Sequence, residues 1–216
     1  MKRISEMVRP FLAIIFGALL LLFYLNWLGA AGAYLALGII AMVLAAYYLF
    51  VGIVGSLVKL QDKAKNVLDT LSISLYLVFL FVYFLIMMIE AAKTNAERAQ
   101  YNLDPIVGPN GWVIMIVSMV AALALALLFA GAKLTGNGAL GRLASLFASI
   151  FVGVLVLNIA FNLNGDSVNL GSVDIVNLVI DVVFVYMLFI GLGGLNKIPE
   201  PKKEEEKPEE IEQQGE

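Results

Sequence analysis

No cysteine and no histidine occurs anywhere in the 216 residues. The first absence removes disulfides, thiol exchange and zinc–thiolate sites. The second removes histidine-ligated haem, metallohydrolase helices of the HExxH kind and every Ser–His catalytic pair. Charge is also scarce, at 14% of residues against about a quarter in an ordinary soluble domain. What fills the space is apolar: 61% of residues are hydrophobic and the mean hydropathy is +0.92. A core of this size cannot hide that much apolar surface from water, because a chain this long leaves much of its surface exposed. Its main solvent is therefore lipid.

Other classes are excluded by what is missing. The glycine-rich stretch Thr135 to Gly141 lacks the lysine–hydroxyl pair of a phosphate loop, and no dinucleotide fingerprint is present. A two-aspartate intramembrane protease needs two facing acids in the bilayer, and only Asp181 is deep enough. The basic residues are dispersed, which argues against nucleic acid. The expectation is a non-enzyme with no cofactor and no metal site.

A helix needs about 20 apolar residues to cross the hydrocarbon. Six runs qualify: Phe11–Leu28, Ala31–Val58, Leu71–Ile89, Trp112–Ala132, Leu143–Leu163 and Asp174–Leu195. The predicted fold is all-α, a six-transmembrane-helix bundle over residues 1–195. Pro10 fits a first helical turn. The break Asn26 to Gly32 is short, but without it the first two runs would form one helix too long for any bilayer, so a tight hairpin belongs there. Lys2, Arg3 and Arg9 with Gly29-Ala30-Ala31 also resemble a cleavable signal. The run is long for that role and a second apolar run follows at once, so it reads as a span.

Lysine and arginine set the orientation. With six spans, one side holds Lys2, Arg3, Arg9, Lys59, Lys63, Lys65, Lys133, Arg142, Lys197, Lys202, Lys203 and Lys207, which is 12 of the 14 basic residues. The other holds Lys93 and Arg98. The expectation is a multi-pass protein of the plasma membrane with both termini cytoplasmic. Val58 to Leu68 reads as an ordinary basic inner loop, with an interfacial amphipathic segment as the alternative. Ala91 to Tyr101 can prolong the third helix beyond the bilayer, and Asp104-Pro105 and Pro109-Asn110-Gly111 turn the chain back. Residues 196–216 carry four Lys and eight Glu with almost nothing to bury, the pattern of a disordered acidic tail.

Helices in lipid associate through small residues and a few hydrogen bonds. Ser118, Ala122, Ala126 and Ala130 form one ridge, and Ser145, Ser149 and Gly153 a second. The short loop between them predicts a tight antiparallel pair. Gly38, Ala41, Ala45 and Gly52 make a third small face, and all three suit either internal packing or a partner subunit or second copy.

Acids inside a membrane are costly and usually serve a purpose. Asp181 lies about 10 Å below the outer boundary, at 1.5 Å per residue. Asp174, Asn177 and Asp181 share a helical face, and Asn158 and Asn162 are spaced four apart on the preceding helix. Tyr83 falls at a similar depth. No lysine or arginine lies in the membrane beside Asp181. Such a carboxylate takes up a proton, is hydrated, or binds a cation. Polar groups thus gather in the outer halves of the last two helices.

Two readings follow. One is a transporter, or the membrane subunit of a transport system, holding an ion or small molecule around Asp181, Asn177, Asp174, Asn158, Asn162 and Tyr83. In size and helix count the chain is similar to the substrate-binding membrane subunits of energy-coupling-factor vitamin importers, a likeness of architecture without a shared motif. The other is a structural or accessory subunit of a membrane complex, in which the polar cluster is internal glue.

Overall fold

The computed structural model describes residues 2–58, 61–161 and 175–195, and the side chains of 2–7, 62–63, 157–161, 175–177 and 194–195 fall outside that description. Among the described residues the fold is all-helical. The elements are α1 (Lys2–Tyr24), a short 3₁₀ turn (Leu25–Gly29), α2 (Ala33–Leu57), α3 (Asp62–Gln100), α4 (Pro109–Thr135), α5 (Gly138–Phe161) and α6 (Ile175–Leu195). The first five helices, α1 through α5, are long and apolar enough to cross a membrane. The described apolar part of α6, Leu178–Gly193, is shorter. The expected tail at 196–216 lies outside the described residues.

Side-chain register gives the direction of each helix. Pro10 and Ile14 of α1 meet Gly52 of α2, Gly17 meets Ala45 and Leu49, and Trp27 meets Gly38, so α1 and α2 are antiparallel. Phe16 meets Tyr76 and Tyr24 meets Phe79, so α3 runs parallel to α1. Phe184 of α6 meets Tyr76, and Gly191 faces Ile73, so α6 runs against α3. The bundle therefore has an end bearing Arg9 and an end bearing Trp27.

The core is aromatic where the helices converge. Phe16 stands edge-on to Tyr48 and Tyr76 at 4.8 Å each, and Phe184 lies 4.5 Å from Tyr76 and 6.3 Å from Phe151. These rings link α1, α2, α3, α5 and α6. Edge-on pairs align the positive ring edge with the negative face, an attraction beyond burial and useful where lipid offers no hydrophobic drive. Outward, Phe11, Val43, Phe50, Leu127, Leu134, Val182 and Phe189 are all more than half exposed. In water such a belt would aggregate, whereas against acyl chains it is solvated.

Several boundaries differ from the sequence reading. Helix α1 begins at Lys2, not Phe11, so Pro10 lies inside it. Proline there gives up one backbone bond, which a helix in a bundle tolerates better than an isolated one. Residues Asp62 to Leu68 are neither a loop nor a separate interfacial segment, because they form the first turns of α3. At the far end α3 continues to Gln100, as Ala91 to Tyr101 suggested. Asn95 explains how the chain returns: its Oδ1 accepts from the Ile106 amide at 2.8 Å and its Nδ2 donates to the Val107 carbonyl at 3.1 Å. The α4–α5 turn is only two residues. Gly136 adopts a left-handed φ of 67°, which suits glycine, and Asn137 Oδ1 caps α5 through the Ala139 amide at 2.9 Å.

Two of the three small faces lie inside the bundle. Ser118, Ala122 and Ala126 are buried on α4, with Ala130 half-buried, and Gly38, Ala41, Ala45 and Gly52 are buried on α2. The α5 face is a correction. Ser149 and Gly153 are exposed and Ser145 is half-buried, and nothing stands within 4 Å of a Cβ built on Gly153. Helix α5 packs instead through Gly141, Ala144, Ala148, Phe151 and Leu155. That neighbouring stripe is equally small near the turn and carries the large rings farther up, so it both approaches α4 and reaches the aromatic core.

Candidate functional site at Asp181 and the Arg9 end

Asp181 stands on α6 toward the Trp27 end. It is half-buried and lines a cleft of about 360 Å³ between α5 and α6. The other walls are apolar: Val152, Leu155 and Val156 from α5, with Leu178, Val182, Val185, Tyr186 and Phe189 from α6. No basic side chain among the described residues pairs with it. Tyr24, Tyr76 and Tyr83 lie within electrostatic range of it. Asp181 thus lines an apolar cleft within electrostatic range of three phenols.

Tyr83 of α3 is half-buried and lies 6.1 Å from Trp27 and 5.4 Å from Phe84, ring centre to ring centre. Tyr83 also lies within electrostatic range of Asp181. Asn158 and Asn177 are on the described backbone of α5 and α6, but their side chains lie outside the described residues. Asn162 and Asp174 lie outside them altogether.

A second polar site, absent from the sequence reading, lies at the Arg9 end. Arg9 of α1 forms an ion pair with Asp69 of α3, and its Nη2 donates to the Ile190 carbonyl of α6 at 3.3 Å. One guanidinium thereby ties three helices. Its planar fork, with donors pointing in several directions, is what permits this. The two side chains remain 25% and 23% exposed. Lys133 of α4 and Lys65 of α3 lie within electrostatic range of Asp69. Lys133 also rests over the Phe129 ring, 5.8 Å from its centre. Tyr47 of α2 braces the same wall, donating to the Leu68 carbonyl at 3.3 Å and lying 3.4 Å from Ser72 Oγ, while Tyr48 donates to the Ser72 carbonyl.

This site encloses about 290 Å³. Arg9, Lys65, Asp69 and Ser72 supply its polar lining, and Leu12, Ala13, Val51, Ile73 and Met187 are among its apolar walls. A signal for it was present: Arg9 and Asp69 each stand two residues before an apolar run, on helices that run the same way.

Comparison with protein-family models, with curated proteins and with solved structures returns no match.

Proposed function

We propose that this chain is a multi-pass plasma-membrane protein whose six helices all cross, with both termini cytoplasmic. We infer that it is a small transporter, or the membrane subunit of a transport system, with a polar site around Asp181 that opens outward. One observation carries the reading: a carboxylate without a basic partner among the described residues lines the α5–α6 cleft. Such a group is expensive in hydrocarbon and earns its place most simply by holding a proton, a cation or a cationic substrate. The Arg9–Asp69 pair at the other end supports it, since a carrier that opens on one side is closed on the other.

The chain's natural lack of cysteine makes the test direct. Asn158→Cys and Asn177→Cys are each introduced and treated with a membrane-impermeant thiol reagent from outside the cell. Labelling at either position is the expected result. No labelling at both, in protein that reaches the membrane, would falsify an outward-open site.

A second reading, a structural or accessory subunit, is favoured by the α5 face on which Ser149 and Gly153 are exposed beside the half-buried Ser145. It requires a stoichiometric membrane partner in a mild-detergent pull-down that Gly153→Leu removes.

A further inference from the structure

We propose that the cavity at the Arg9 end binds an anionic phospholipid, with the phosphate at Arg9 and Lys65 and an acyl segment against the apolar wall. This inference stands apart from the reading of Asp181.

The lining divides in the way an amphiphile does. Arg9, Lys65, Asp69 and Ser72 form one part, while Leu12, Ala13, Val51, Ile73 and Met187 belong to the other. Among the described residues two cations and one carboxylate line the cavity, and Lys133 of α4 lies within electrostatic range of the Arg9–Asp69 pair. The described lining is thus net positive, which favours an anion. Solvent reaches the mouth, since Arg9 and Asp69 each keep about a quarter of their surface exposed. The volume of about 290 Å³ far exceeds what one water needs. A free inorganic anion would use the cations but leave the apolar wall against water.

The architecture holds the cations ready. Asp69 and the Ile190 carbonyl orient the Arg9 guanidinium, and Tyr47 holds the start of α3 through the Leu68 carbonyl. A guanidinium presents paired N–H groups that match phosphate oxygens, and lysine adds a mobile point charge. The cavity lies where α1, α2, α3 and α6 meet at the helix ends, which is headgroup depth in a bilayer. Basic pockets between helices at that depth recognise anionic headgroups.

The test uses the full-length purified chain in detergent, with phosphatidylglycerol and phosphatidylcholine of matched acyl chains supplied together and the retained lipid read by native mass spectrometry. Phosphatidylglycerol is expected to be retained roughly tenfold over phosphatidylcholine. Lys65→Gln with Lys133→Gln brings the two lipids to near parity, and Lys65→Arg with Lys133→Arg keeps the preference. Equal retention of the two lipids by the natural chain overturns the proposal, as does a preference that survives the double glutamine change. Competition on the natural chain stays informative if the glutamine variant does not fold. Displacement of phosphatidylglycerol by inorganic phosphate would also overturn it, by showing a free-anion site.

Discussion

At the scale of single residues, the small side chains divide into those that are indispensable and those that are not. A Cβ on Gly52 would lie 2.5 Å from Ile14 Cγ1 and 2.7 Å from the Pro10 carbonyl oxygen. The backbone atom cannot give way, so Gly52→Ala forces α1 and α2 apart and is expected to cost about 1–3 kcal/mol. Gly153→Ala meets nothing and is expected to stay within about 0.5 kcal/mol of the natural chain. Thermal unfolding of both variants in one detergent checks the contrast, which fails if they shift alike. Arg9→Gln leaves the Asp69 carboxylate without its ion-pair partner, with only the more distant Lys65 and Lys133 to offset its charge among the described residues. Breaking a buried pair costs about 3–5 kcal/mol, and with both groups a quarter exposed here the expected loss is about 1–3 kcal/mol. Adding Asp69→Asn to Arg9→Gln removes the stranded charge and is expected to recover much of that loss, measured as a double-mutant cycle. Asp181→Asn is expected to move stability by less than about 1 kcal/mol, because intramembrane hydrogen bonds average about 0.6 kcal/mol. A much larger loss would mark Asp181 as structural.

At the scale of elements, α3 and its return loop form one unit. Asn95 alone clamps both Ile106 and Val107, and the Arg98 Nε bonds the Asp104 carbonyl at 2.6 Å. Asn95→Ala is expected to raise hydrogen exchange sharply at the Ile106 amide while leaving α1 and α2 unaffected, because the clamp is local. The length of α3 was legible, since Ala91 to Gln100 is a good helix-former without glycine or proline. The start of α3 was not. Lysines at 63 and 65 mark a membrane boundary, and a boundary does not say whether the backbone stays helical beyond it. The inward face of α5 was illegible for a different reason. Ser145, Ser149 and Gly153 and the neighbouring Gly141, Ala144 and Ala148 are both small, and spacing cannot choose between two adjacent stripes. The position of Phe151, which the aromatic core draws inward, decides it.

At the scale of the whole molecule, an all-helical fold with several apolar helices able to cross a membrane was readable, because a bilayer sets the length of apolar run that a crossing needs. The pairing of Arg9 with Asp69 was not, since sixty residues separate them and only the parallel course of α1 and α3 brings them level. Orientation remains a prediction of the basic residues: a cysteine placed at Glu97 is expected to react with an impermeant reagent from outside, and one in the tail at Gln213 only after permeabilisation. The reverse pattern would invert the protein. Helix α3 carries one further consequence. Its 39 residues extend about 58 Å, nearly twice the hydrocarbon thickness. Its lower part is anchored at Asp69 and its upper part is strapped to the return loop before α4 through Asn95. About 47 Å of it lies beyond Asp69, so a tilt of about 10° around that anchor would swing the Gln100 tip by roughly 8 Å. Geometry alone would thus magnify a small rearrangement among the charges at the Arg9 end into a larger displacement at the far tip of α3.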